Sequence, residues 1–327
     1  MDEEQFRDKK RWAGQAVPSM KRRRVGHDYQ GRCIYMITLV VEGRQRLLGH
    51  VTGGDSSEAL MFPSDLGHAV LNELDNIHRH YPAIKVIARQ LMPDHLHVIL
   101  FVQERIPHHL GRVISGYKGG CNRIYRELCG LDGQASLWDE GFNDRILEGK
   151  GHLQRMMDYL ADNPRRLAIK QQHPRYFQVQ RNVTVGNYTF AALGNTFLLE
   201  APSRLQVQCT RSLTEEQIAV AREHFLEEAR NGAVLVSPSI SNGEKAVMRA
   251  AFDEGLPTII LQENGFTELA KPGGRRFDAC AQGRLLLLAP WEHHNTREAI
   301  ERCQCLSLND MAAAIATEPQ HRPWEGR

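Results

Sequence analysis

No stretch of this sequence approaches the roughly 18 uninterrupted apolar residues that a membrane span needs, so the sequence reads as that of a non-membrane protein. The segment MDEEQFRDKKRWAGQAVPSMKRRR opens with acids and lacks the apolar core of a secretory signal, which points to a cytoplasmic location. Cysteine is sparse and odd in number. The seven residues, at 33, 121, 129, 209, 280, 303 and 305, offer no disulfide framework and suit reduced thiols. Only Cys303 and Cys305 lie close together, and a one-residue gap without a second pair argues against structural zinc. There is no internal repeat and no low-complexity tract. What remains is a globular composition, 42% hydrophobic and 24% charged, over 327 residues, a length that fits two domains.

The formal charge of +2 hides an asymmetry. Residues 1–180 hold 26 Lys and Arg against 21 Asp and Glu, leaving 15 against 18 for residues 181–327. The basic half also holds 11 of the 15 histidines, so a polyanion partner is sought there first. Residues 1–28 have little apolar periodicity and carry Lys9-Lys10-Arg11 and Lys21-Arg22-Arg23-Arg24. They read as a basic, disordered arm that serves phosphate contact or solubility.

From residue 29 the pattern changes. IYMITLVV, the turn EGRQ and LLGHVT predict a hairpin, and Leu66, Val70, Leu71, Leu74 and Ile77 predict a helix with Ser64 as N-cap. IKVIARQLM and HLHVILFV predict two strands around a Pro93-Asp94 turn, followed by helices over Leu110 to Leu128 and over Leu153 to Asp162, the latter ending at Asn163-Pro164. Paired strands beside helices define an α+β domain with a ferredoxin-like antiparallel sheet, placed at 29–190. FQVQRNVTV and YTFAALGNTFLL lead out of it. Beyond, LQVQCT, AVLVS, PTIILQ and RLLLLAP alternate with helices over 213–232 and 243–255, which predicts an α/β, doubly wound Rossmann-like domain over 191–327.

Two fragments of the first domain carry chemistry. On a strand, side chains alternate between faces, so His95 and His97 project together and can share a divalent ion, although a polar strand face would look the same. A histidine-triad hydrolase would need a third His where Ile99 stands. A phosphoesterase with two His-x-Ser/Thr motifs would need a hydroxyl where His97 stands. On the later helix, Tyr159 and Asn163 are four apart and share a face. An amide oxygen can complete a metal site begun by two imidazoles, and a phenol beside it can attack a polarised phosphorus. A half-buried aromatic and a helix terminator would also produce this pair.

A His-hydrophobic-His motif after Met-Pro-Asp, followed some sixty residues later by Tyr-x-x-x-Asn-Pro on a helix, resembles the single-tyrosine HUH transposases, in particular the REP-associated tyrosine transposase branch of the insertion-sequence transposases. The resemblance covers about residues 29–170, including Thr38, Trp138-x-x-x-Phe142 and ILEGKGHLQRMMDYLADNPRRLAI. It implies that His95, His97 and Asn163 hold Mg²⁺ or Mn²⁺ and that Tyr159 is the nucleophile. Such an enzyme would cut single-stranded DNA, keep a 5′ phosphotyrosine and rejoin ends by the reverse transesterification. Its implied partner is single-stranded or hairpin DNA, with a homodimer among the arrangements and the nucleoid as the place of work. Arg112, Lys118, Arg123 and Arg126, with Tyr117 and Tyr125 interleaved, and Arg165, Arg166 and Lys170 would then contact the nucleic acid. The different-class alternative is a domesticated structured-DNA- or nucleotide-binding protein without strand transfer.

The second half, through GAVLVSPSISNGEKAVMRAAFDEGLPTIIL, resembles the DNA-processing-protein and lysine-decarboxylase-like Rossmann superfamily. Ser237, Ser239, Ser241, Gly243 and Glu244 occupy a loop at a helix N-terminus, where backbone N–H groups would receive a nucleotide phosphate or single-stranded DNA. Neither GxGxxG nor Pro-Gly-Gly-x-Gly-Thr is present, and Glu244 is also explicable as a macrodipole partner.

Overall fold

A computed structural model describes residues 23–53, 59–296, 299–318 and 323–324. The chain divides into two compact units that part between Gln172 and His173. As expected, the first is α+β with an antiparallel sheet and the second is α/β. The basic clusters at 9–11 and 21–22 lie outside the described residues. Arg23 and Arg24 do not behave as a free arm: Arg23 pairs with Asp144 at 3.1 Å and Arg24 with Glu148 at 2.9 Å.

In the first unit, β1 (Cys33–Val40), β4 (Ile84–Met92), β5 (His95–Val102) and β6 (Asn143–Ile146) form a sheet in the order β4-β5-β1-β6. Every neighbouring pair is antiparallel. The predicted hairpin from β1 into the next strand does not form. β1 pairs instead with β5 and β6, while β2 (Gly49–Thr52) pairs with β3 (Leu60–Pro63) in a separate ribbon. Local spacing cannot reveal this, because a strand buried on both faces takes the partners that complete its core rather than its nearest neighbour in sequence.

Helix α1 (Asp65–His80) starts where Ser64 Oγ accepts from the Gly67 N–H at 3.1 Å, and it buries Leu66, Val70, Leu74 and Ile77. Each such side chain contributes about 1.5–3 kcal/mol on full burial. Together with α2 (Leu110–Cys129) it covers one sheet face, where Leu96, Val98 and Leu100 meet Val113, Ile114 and Cys121. Helix α3 (His152–Gln172) packs on the opposite face through Leu160 against Met36 and Ile99. It runs through Pro164, beyond the predicted end at Asp162. Proline removes the bond to the Leu160 carbonyl and normally stops a helix, but buried Ala168 and Ile169 hold the following turns in place.

The second unit has a six-stranded sheet in the order β7-β8-β12-β11-β10-β9. Strands β9 (Arg204–Gln206), β10 (Val234–Ser237), β11 (Thr258–Leu261) and β12 (Leu285–Ala289) are parallel. The hairpin β7 (Gln180–Val185) and β8 (Tyr188–Gly194) extends the β12 edge antiparallel. The segments read in the sequence as leading out of the first domain form this hairpin and join the second sheet, within the compact unit that begins at His173. Gly194, at φ +116, lets the two strands close up, since a Cβ there would stand 2.3 Å from the Leu285 carbonyl oxygen. Helices α4 (Glu215–Arg230) and α5 (Asn242–Glu254) pack with Leu205 and Leu235 on one face. Short α6 (Arg275–Ala281) precedes β12, and α7 (Arg302–Ile315) packs with Val234 and Val236 on the other face.

Candidate functional site

Register places the histidines. In the first sheet, His97 stands opposite Thr38 on β1 and Gln90 on β4, and His95 stands opposite Val40 and Met92. Residues directly opposite share a face, so His97, Thr38 and Gln90 form a polar row beneath α3, while Leu96 and Val98 enter the core on the other side. The two rings meet edge to face with centroids 4.7 Å apart. Each keeps its Nδ1 in a hydrogen bond: His95 with Asp94 Oδ1 at 2.6 Å, and His97 with Thr38 Oγ1 at 2.8 Å.

The electrostatics follow. His97 is 6% exposed, and burial, reinforced by the neighbouring His95, pushes it down to about 3, so it is neutral at physiological pH. Burial opposes the Asp94 carboxylate, yet its hydrogen bond and charge contact with His95, together with Arg44 at 3.2 Å, bring it down to about 2. This strand face therefore presents a neutral imidazole beside one that is backed by a carboxylate.

Helix α3 packs over this face. Leu160 anchors it on Ile99 and Met36, and the preceding residue, Tyr159, stands over His97 with ring centroids 6.0 Å apart and 38% of its surface exposed. One turn further, Asn163 is only 8% exposed, and its amide nitrogen has no hydrogen-bond partner among the described residues. Rotating the amide by 180° exchanges its two ends, so an oxygen can take that place. Arg165 and Arg166 both reach Asp162, at 2.5 and 3.4 Å, and Arg166 also lies 5.9 Å from the Tyr159 ring centre.

Among the described residues no three His, Cys, Asp or Glu side chains gather as a metal site. The amide of Asn163 is not one of those four side-chain types, and of the three candidate donors only its oxygen is a hard ligand, the two imidazole nitrogens being borderline ones. Asp94, Arg44 and the hydrogen-bonding role of Thr38 were not legible beforehand. Asp94 had a signal in its adjacency to His95, whereas Arg44 had none.

The remaining basic candidates are placed elsewhere. Helix α2 lies across the sheet from the histidines, so Arg112, Lys118, Arg123 and Arg126 do not join their site. Lys118 donates to the carbonyls of Asp139 and Gly141 at 2.6 and 2.9 Å, and Arg126 to that of Gly133 at 2.9 Å, which are loop-holding roles. Tyr117 is buried and donates to the Val70 carbonyl, so it offers no stacking face. Arg112 and Arg123 are exposed.

In the second unit, the loop before α5 differs from its expected use. Glu244 is 2% exposed and accepts from the N–H groups of Ile240 at 2.7 Å and of Ser241 and Cys209 at 3.2 Å each. Ser237 Oγ donates to the Val207 carbonyl and accepts from the Ser239 N–H, and Ser241 caps α5. The chain's own carboxylate fills the place expected for a phosphate. Gly243 is needed for close packing, since a Cβ there would lie 2.7 Å from that of Cys209. Beside this loop, a cleft of about 830 Å³ is lined by exposed Lys245, Arg249, Arg275 and Arg276, with Phe252 and Asp253. Asp253 pairs with Arg275 at 2.7 Å. The one sequence signal for this cleft is the four-residue spacing of Lys245 and Arg249 on α5.

No family model matches the chain. An uncharacterized protein of Haemophilus influenzae is 20% identical over 158 residues, covering 42% of this chain and 83% of that one. A structure of a REP-associated tyrosine transposase bound to a REP hairpin is similar at 16% identity and TM-score 0.32, over 44% of this chain and 73% of that one. DNA processing protein A from Helicobacter pylori, described for its single-stranded DNA binding mode, aligns at 18% identity and TM-score 0.32, over 43% and 66%. The Streptococcus pneumoniae protein of the same name aligns at 15% and 0.32, over 59% and 68%. None of the described helices is long and apolar enough to cross a membrane.

Proposed function

We propose that the first unit is a transposase-like strand transferase that cleaves and rejoins single-stranded or hairpin DNA through a covalent 5′ phosphotyrosine. The observation that carries this reading is Tyr159 poised over His97, one helical turn from a buried amide whose nitrogen lacks a partner among the described residues. His95, His97 and Asn163 would hold Mg²⁺ or Mn²⁺, which when bound would offset charge on a phosphodiester that otherwise repels an anionic attacker. Tyr159 Oη forms a bond to phosphorus while the bond to the 3′ oxygen breaks. The phenol proton passes to solvent, and the leaving 3′ oxygen takes one up. One ester replaces another, so no nucleotide energy is consumed, and the reverse attack by a 3′ hydroxyl rejoins the strand. The work would be done in the cytoplasm, at the nucleoid.

Incubation with labelled hairpin-forming single strands and Mn²⁺ should give a protein–DNA adduct that survives denaturation, and Tyr159→Phe should abolish it. An adduct that persists in Tyr159→Phe overturns the assignment.

A second reading is favoured by the cationic cleft, because it lies in the acidic half of the chain. Here the protein is a binder of single-stranded DNA or nucleotides without strand transfer. Salt-sensitive binding with no covalent species across metals and substrates would select it.

A further inference from the structure

The two histidines are held alike, each by its Nδ1. Asp94 Oδ1 lies 2.6 Å from Nδ1 of His95, and Thr38 Oγ1 lies 2.8 Å from Nδ1 of His97. The holders come from different elements: Asp94 from the turn between β4 and β5, Thr38 from the neighbouring strand in direct register with His97. Asp94 is itself oriented by Arg44 at 3.2 Å and by its own carbonyl, which accepts from the Val41 N–H at 2.9 Å. An imidazole becomes a metal ligand only through the nitrogen that carries no proton, and the partner of the other nitrogen decides which one that is.

We infer that Asp94 and Thr38 are positioning residues that hold a proton on Nδ1 of His95 and His97 and so present both Nε2 lone pairs to a divalent ion. The inference rests on the metal reading of the proposed function. For His95 the chemistry leaves no choice, because a carboxylate only accepts. For His97 a threonine hydroxyl can accept from Nδ1–H or donate to a bare Nδ1, and only the first arrangement leaves Nε2 able to bind. The same roles account for a hydroxyl at 38, between Ile37 and Leu39, and for an acid after Pro93 at the mouth of the histidine strand.

The test uses the full chain and two readouts. Long-range proton–nitrogen correlation spectra, recorded without metal, report the tautomer of each ring. Mn²⁺ titration followed by electron paramagnetic resonance reports affinity, with His95→Ala and His97→Ala as controls. Both rings should show protonated Nδ1 in the unsubstituted protein. Thr38→Val and Asp94→Ala should weaken Mn²⁺ binding by about 10–100-fold, the range found when such outer partners are removed. Thr38→Ser, which keeps the hydroxyl, should restore both readouts, and Asp94→Asn, which keeps one acceptor, should restore the His95 tautomer. Protonated Nε2 on His97, or unchanged Mn²⁺ affinity in both Thr38→Val and Asp94→Ala, overturns the inference. If the unsubstituted protein takes up no Mn²⁺ through His95 and His97, the metal reading fails, while the spectra still decide the tautomers.

Discussion

Protonation of His97 supplies a stringent check on the geometry of the site. In an unfolded chain an imidazole titrates near 6.5; in the fold, burial and His95 bring His97 to about 3. Between those values the unfolded chain binds a proton that the native site refuses. Unfolding free energy therefore rises with pH across the window, at up to about 1.4 kcal/mol per unit, and this contribution is fully present above pH 6.5. Integrated from pH 7 down to pH 5, the loss is about 2 kcal/mol. Asp94, brought down to about 2 from 3.8, contributes only at lower pH and leaves this interval clean. Hydrogen-exchange mass spectrometry of peptides from β5 and α3, in the presence of a chelator and corrected for intrinsic rates, would measure the slope. His97→Leu should remove it. Parallel pH profiles for the unsubstituted protein and His97→Leu between pH 5 and 7 would show that His97 is not the buried neutral group described.

Two further outcomes concern the second unit. Glu244→Ala strips three backbone donors of their acceptor; at about 1–3 kcal/mol for each donor left unpaired, the loss should be at least about 3 kcal/mol by chemical denaturation. Unchanged stability would mean that the carboxylate does not fill that loop. If the cationic cleft holds a single strand, Lys245→Gln, Arg249→Gln and Arg276→Gln should each weaken binding. Removing a charge that neutralises one phosphate should also flatten the slope of log affinity against log salt by about 0.7. An unaltered slope in all three would place the ligand elsewhere.

Much of the architecture was legible because it rests on periodicity. The four-and-three spacing of Leu66, Val70, Leu74 and Ile77 and the Ser64 cap define α1, and the Val- and Leu-rich runs near 234, 258 and 285 define parallel strands. The proximity of His95 and His97 followed from strand alternation, and that of Tyr159 and Asn163 from helix periodicity. Errors arose where long-range packing decides. The β1 partners, the passage of α3 through Pro164 and the ownership of β7 and β8 all depend on cores assembled from distant segments. The polar four-residue strand β6 and the helices α6 and α7 were missed, because short or weakly patterned elements owe their form to what they pack on.

The sequence by itself determined which chemical groups are present and how far apart they lie along each element: two imidazoles two residues apart, a phenol and an amide one helical turn apart. Whether those pairs meet was decided by tertiary structure, since α3 reaches the histidine face through the seating of Leu160, with Leu153, Met156 and Met157, on a patch that includes Ile99 and Met36. The same physics separated the basic residues of α2 from that face and turned Glu244 inward upon its own loop. A charge in a sequence has no side of the sheet until the sheet exists.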